Sequence, residues 1–282
     1  MYLKKEGTHM IHMTPEHVRW FADTGKSVTT SEGKEIKIWE FKHENDEEVL
    51  KGWSKHFRQH YCLDEEIDEF REGYGFSRAE FLEKIKFPDR YKAPGPSTRS
   101  GDFSEILVSD YLEFILSYWV PRTRYGSKTI GNESTKGCDV MAFKFINEEK
   151  ETPEDTLAIF EAKAQFSGTT VKPRLQDAVN DSVKDQIRKA ESLNAIKQQL
   201  YYKQKIQDAK LINRFQNPVD RPYKEVSGAV ALFSSNLFNT EKIAETYVSE
   251  HPNEQNIQLL VIHGEDMMNL VHELYRRAAD EA

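Results

Sequence analysis

The chain has 282 residues, 38% hydrophobic and 30% charged, with a formal net charge of -8. Sixteen Phe, twelve Tyr and four Trp exclude a disordered chain and supply a sizeable core, while no run approaches the ~18 apolar residues of a membrane span. The acidity excludes a general nucleic-acid coat but not a local basic track, and two cysteines, Cys62 and Cys138, exclude a disulfide framework and fit a reducing cytoplasm.

The opening "MYLKKEGTHM" has no apolar core for a secretory signal. It reads as leader or added sequence, with Met1, Met10 and Met13 as candidate starts. Next, "TPEHVRWF" offers Thr14 as an N-cap, Pro15 at the first helical position and Glu16 in the first turn. "KEIKIWEFK" alternates as a strand should, within one early strand pair. "ENDEEVLKGWSKHFRQHYC" and "SRAEFLEKIKF" are amphipathic helices. The Pro, Gly and Ser of "FPDRYKAPGPSTRSG" then form a loop. This is the best boundary, dividing a mainly helical accessory region, 1–95, from a second domain, 96–282.

After the boundary, "GDFSEILVSDYLEFILSYW" has apolar residues at helical spacing. "WVPRTRY", "GCDVMAFKF" and "TLAIFEAKA" follow as three strands, the first limited by Pro121. A long helix is expected from about 173 to 213, with a break near 205. "SGAVALFSSN" and "NIQLLVIHG" are continuous apolar strands of a sheet covered on both faces. They are interleaved with the helices "TEKIAETYVSEH" and "DMMNLVHELYRRAAD". The order predicts an α/β domain with a mixed central sheet.

Within "LAIFEAKAQFSG", Glu161 and Lys163 interrupt an apolar strand two residues apart. Residues at that spacing share a face, roughly 7 Å apart. Charges there are costly unless paired or bound to a cation. Asp139, before the apolar "VMAF" of the preceding strand, converges on them if the two strands are neighbours. Two carboxylates held together repel, and a divalent cation relieves the repulsion. Mg2+, or Mn2+, suits such oxygen ligands, and a bound metal polarises phosphoryl oxygens and activates water. Lys163 is then placed to orient the attacking water or neutralise developing charge. This is a residue set for phosphodiester hydrolysis. Taken alone, Glu161 and Lys163 also fit an edge-strand ion pair, and Asp139 a strand cap.

Asp139 followed by Glu161-Ala162-Lys163 resembles the PD-(D/E)xK nuclease superfamily, and the element order is similar to its restriction-endonuclease-like αβββαβ core. The superfamily's proline before the first acid is replaced here by Cys138. The resemblance implies a Mg2+-dependent deoxyribonuclease with Asp139 and Glu161 on the metal and Lys163 catalytic. It also implies Glu105, on the preceding helix, as a further catalytic and metal-binding acid, although a helix-dipole role explains Glu105 too. Some relatives place a supporting Gln where Gln186 stands. More narrowly, "STRSGDFSEILVSDYLEF", "VPRTRYGSKTIGNESTKGCDVMAF" and "LAIFEAK" resemble the HamA nuclease subunit of the Hachiman antiphage defence system. Such proteins work with a superfamily 2 helicase subunit (HamB-like).

DNA would be met by Arg122, Arg124, Lys128 and Lys136, which line the loop between the first two strands with Glu133 as the only acid. Residues 172–214 add ten Lys or Arg against five Asp or Glu. A salt-bridged helix face is the competing explanation. His56 and His60 have zinc-like spacing, but no second ligand pair completes a site. Cys138 has no histidine tied to it by sequence, and no nucleotide-binding glycine loop is present. Two other readings stay open: a catalytically silent DNA-binding scaffold for a helicase, and a stand-alone type II restriction endonuclease.

Overall fold

The apolar runs of the sequence assemble into one mixed sheet. The structure, a computed structural model, describes residues 13–147 and 149–282, so the opening "MYLKKEGTHM" lies outside the described residues. In chain order come β1 (Phe21–Thr29), β2 (Glu35–Phe41), α1 (Glu47–Gln59), α2 (Ile67–Arg71), α3 (Arg78–Phe81) and α4 (Gly95–Asp110). They are followed by β3 (Val140–Lys144), β4 (Thr156–Gln165), α5 (Arg174–Ser182), α6 (Asp185–Tyr202) and α7 (Ile206–Leu211). β5 (Lys224–Ser234), α8 (Thr240–Ala244), β6 (Ile257–Gly264) and α9 (Met267–Asp280) complete the order.

The strands lie in the order β1-β2-β6-β5-β4-β3. β2, β6, β5 and β4 run parallel, and β1 and β3 close the edges antiparallel. The central strands read as continuous apolar runs because both faces are covered. On one face α1, α4 and α9 pack Trp53, Phe57, Phe103, Leu274 and Tyr275 against Phe160, Val230 and Leu260. On the other, α5 sets Leu175 and Val179 against Ala229 and Ala231, and α6 sets Leu193 and Leu200 against Leu157 and Ile159. Gly228 is required on β5: a Cβ there would fall 2.3 Å from Phe160 Cδ1.

The N-terminal region joins this sheet rather than standing beside it. β2 pairs with β6 from Ile36↔Leu259 to Glu40↔His263, and residues of α1 and α9 share one apolar cluster. Local chemistry starts its helices: the Asp46 side chain caps α1, and Ser77 with Glu80 forms a capping box on α3. "TPEHVRWF" is shorter than expected, a single 3-10 turn over Glu16–Trp20. A buried polar junction ties the regions together. Asp102 on α4 accepts hydrogen bonds from Tyr61 (2.8 Å) and Lys128 (2.6 Å), and Tyr61 shares one with Tyr275 of α9 (2.6 Å).

Three expectations change in detail. The loop expected over 87–101 gives way to helix at Gly95, where proline at the first helical positions favours initiation. "WVPRTRY" makes one bridge, Trp119↔Phe143, and no strand. Pro121 lacks an N–H, and Arg122 has φ +49°, a left-handed backbone that cannot continue a strand. The long helix is three helices, with a first break at Val183 and Lys184. That turn changes the phase of the apolar stripe: Val179 is buried, whereas Ile187 is 84% exposed.

Candidate active site

The β3–β4 register brings the two predicted acids together. Val140 pairs with Phe160 and Met141 with Ile159, so one step further Asp139 falls opposite Glu161. β3 starts at Val140 while β4 runs on to Gln165, which leaves β4 backbone open beside Asp139. Asp139 uses that opening: its Oδ2 accepts the Ala162 N–H at 3.2 Å.

Glu161 and Lys163 lie on the face of β4 that continues from Leu157 and Ile159, toward α5 and α6. Lys163 Nζ is 2.5 Å from Glu161 Oε1 and 2.7 Å from Asp181 Oδ2 on α5. Burial opposes the lysine's charge, but these two carboxylates outweigh it and hold its pKa above the ordinary range. Glu161 is 3% exposed, and its Oε2 is buried with no hydrogen-bond partner. Burial first, and then the neighbouring Asp139, push its pKa up to about 8 against the pull of Lys163.

Glu105 approaches from the other side. Its helix, α4, packs on the face carrying Phe160 and Ala162. It reaches Asp139 through Arg124, whose Nε lies 2.8 Å from Glu105 Oε2 and whose Nη2 lies 3.0 Å from Asp139 Oδ1. Arg124 also donates to the Cys138 carbonyl, and Tyr125 OH donates to Glu105. Burial raises the Glu105 pKa to about 8; Arg124 opposes the rise, and Asp139 and Asp102 add to it.

The predicted basic residues have mostly inward roles. Arg122 is held by Asp110 (2.7 Å) and Glu113 (2.6 Å) and donates to His60 (2.8 Å). Lys128 is bound to the buried Asp102. Lys136 is exposed. Gln186 is exposed and bonds to Glu225 (2.7 Å), which pairs with Leu157, four residues along β4 from Glu161. The structure therefore gathers Asp139, Glu161, Lys163, Glu105 and Arg124, and leaves Gln186, Arg122 and Lys128 outside that group.

Sequence reasoning missed Asp181, Asp185 and Tyr125. Asp177, Asp181 and Asp185 recur every four residues. That spacing was the available signal, obscured because the same acids read as counter-charges on a basic helix. Beside Arg122 lies a second cluster: His17, His56 and Asp110 bring their ligand atoms within 4.8 Å of one another and could hold a metal ion. Each histidine is 2.9 Å from an Asp110 oxygen, and Arg122 already neutralises that carboxylate. Asp110 is thus fully engaged by Arg122 and the two histidines, while His17 Nδ1 is buried without a hydrogen-bond partner.

The residues around Asp139 fit a hard divalent cation. Their donors are carboxylate oxygens, and the orphaned Glu161 Oε2 needs a partner that no side chain supplies. Among the described residues, Glu105, Asp139 and Glu161 form no three-ligand group within 4.8 Å. Two carboxylates plus water are nevertheless a common Mg2+ arrangement. Among the described residues, no helix is long and apolar enough to cross a membrane.

No curated protein matches the chain. A family model described as HamA matches residues 16–278, nearly the whole chain. The chain belongs to the HamA family.

Proposed function

We propose that this HamA-family chain is a Mg2+- or Mn2+-dependent DNA nuclease. It would serve as the nuclease subunit of an antiphage defence complex and work with a superfamily 2 helicase, with no membrane partner. The observation that carries this reading is Asp139 opposite Glu161, with Lys163 tied to Glu161 and one Glu161 oxygen unsatisfied.

Asp139 and Glu161 would hold the cation, which supplies a Lewis acid and lowers the pKa of a bound water. Asp181 and Glu161 fix the Lys163 ammonium on the same face. There it can orient the attacking water and neutralise charge developing on the phosphate. Arg124 holds Glu105 beside Asp139 and neutralises both. Its release toward a DNA phosphate would free both carboxylates, which makes Arg124 the natural link between DNA arrival and the site. Lys136, exposed on the same loop, is the cation best placed for a first phosphate contact.

The self-neutralised site also favours a second reading, a silent scaffold that keeps the nuclease fold for partner binding. The test is cleavage of DNA in Mg2+ by the purified chain, alone and with its proposed helicase partner, against Glu161→Gln and Lys163→Met. Cleavage lost in both variants supports the nuclease. No cleavage by the unaltered complex, with partner binding intact, supports the scaffold.

A further inference from the structure

Helix α6 opens on a buried carboxylate whose one neighbouring donor is the Cys138 thiol, a weak donor that makes no well-formed hydrogen bond to it. Asp185 is 3% exposed, and both of its carboxylate oxygens are buried without a hydrogen-bond partner. An acid in the first turn of a helix ordinarily serves the helix, accepting from its free N–H groups. Asp185 accepts none. Lys163 and Lys184 pair with Asp181 and Lys189 with Glu225, while Arg188 and Arg124 act on Asp185 only through their charge and form no ion pair with it. The turn at Val183 and Lys184 resets the helix phase and carries Asp185 inward while Ile187 goes to solvent. A buried carboxylate with only a weak thiol neighbour and no ion pair is costly, and a bound cation with its water would complete it.

The unsatisfied oxygens lie on one face of the sheet. α6 covers the face of β4 that carries Leu157 and Ile159, the face from which Glu161 projects. Glu161 Oε2 and both Asp185 oxygens are orphaned there. Asp139 falls opposite Glu161, and α6 meets the neighbouring Cys138 through Ser192, whose Oγ accepts the Cys138 N–H at 3.0 Å. Glu105 differs: it comes from the opposite face, and its Oε2 is taken by Tyr125 and Arg124.

We infer that the divalent cation of the proposed site lies on the α6 side of Asp139, with Asp185 a further residue of that site and Glu105 outside it. The ligand atoms of Asp139, Glu161 and Asp185 do not all fall within 4.8 Å of one another. Asp185 therefore acts through a water of the ion, an arrangement suited to Mg2+, which dehydrates reluctantly. It is a positioning residue. The inference rests on the reading of Asp139 and Glu161 as cation ligands.

The test is Mn2+ titration of the purified full chain, read by the electron paramagnetic resonance of free Mn2+, with thermal midpoints measured in parallel. Glu161→Gln should abolish binding, and Asp185→Asn should weaken it about ten-fold or more. Glu105→Gln should weaken it less than Asp185→Asn does. Without metal, Asp185→Asn should raise the thermal midpoint, because it removes an uncompensated buried charge; a merely structural Asp185 predicts a fall. Unchanged Mn2+ affinity in Asp185→Asn, a fallen metal-free midpoint, or a larger loss from Glu105→Gln overturns the inference while Glu161→Gln still loses the ion. Unchanged binding by Glu161→Gln overturns the cation site itself, and this inference with it.

Discussion

The Arg124 guanidinium lies between Glu105 and Asp139, 2.8 Å from one carboxylate and 3.0 Å from the other. The three side chains are 13 to 17% exposed, so the pairing is screened far less than a surface ion pair. A residue expected to face DNA thus serves as an internal counter-cation.

Removing it exposes that role. Arg124→Met should destabilise the metal-free chain by about 3–5 kcal/mol, the usual effect of stranding buried charges. Saturating Mn2+ should then recover more of the thermal midpoint than it adds to the unaltered chain, because the ion replaces the lost positive charge. Equal Mn2+-induced shifts in the two proteins would show that arginine and cation do not compensate the same carboxylates.

Lys163 and Glu161 should separate chemistry from folding. Glu161→Gln keeps the shape of the side chain and removes the negative charge, and Lys163→Met keeps the stem. If the proposed nuclease reading holds, each should reduce DNA cleavage by the proposed helicase complex about 100-fold or more, with the circular dichroism spectrum unchanged. Cleavage at the unaltered rate by Lys163→Met would remove the lysine from the reaction.

Acid should unfold the protein partly through the Arg122 cluster. Burial lowers the His17 pKa from 6.5 to about 4, and burial with Arg122 lowers that of His60 well below the ordinary range. Both are neutral in the fold, so below pH 6.5 the unfolded chain binds more protons. Their contribution is full above pH 6.5 and is lost as pH falls through the folded pKa values, on the order of 3 kcal/mol for His17 alone. Because Arg122 donates to His60, Gln can accept that bond without titrating. His60→Gln should therefore flatten the loss of thermal midpoint between pH 7 and pH 5. An identical slope would place the acid sensitivity elsewhere.

The grouping at the candidate site was legible in the sequence where strand physics governs it. A period of two puts Glu161 and Lys163 on one face, and an antiparallel neighbour brings Asp139 opposite Glu161. What stayed hidden depends on side-chain reach and helix phase. Four cations on one loop look alike in sequence, yet Arg122, Arg124 and Lys128 each find a carboxylate inside while Lys136 stays in water. Asp185 reads as a solvated helix charge until the break at Val183 turns it inward. The strands "AVALF" and "QLLVI" announce a two-faced sheet, but their order does not disclose that β2 will pair with β6.

That pairing has a consequence for the boundary drawn at residues 95 and 96. A chain of residues 96–282 would lose β1, β2 and α1. The β6 edge that pairs with Ile36 to Glu40 would be left bare, and α9 would lose Trp53 and Phe57, which are 2% and 0% exposed. Removing aromatic side chains of this size from a core typically costs about 3–5 kcal/mol each, against a total stability of about 5–15 kcal/mol. An open, apolar strand edge then templates aggregation. Expressed alone, residues 96–282 should be insoluble or lack a cooperative melt, whereas residues 13–282 should melt in one transition. A soluble 96–282 fragment with a sharp melt and native-like near-ultraviolet circular dichroism would show instead that α4, β3–β6 and α5–α9 hold the sheet without the N-terminal edge.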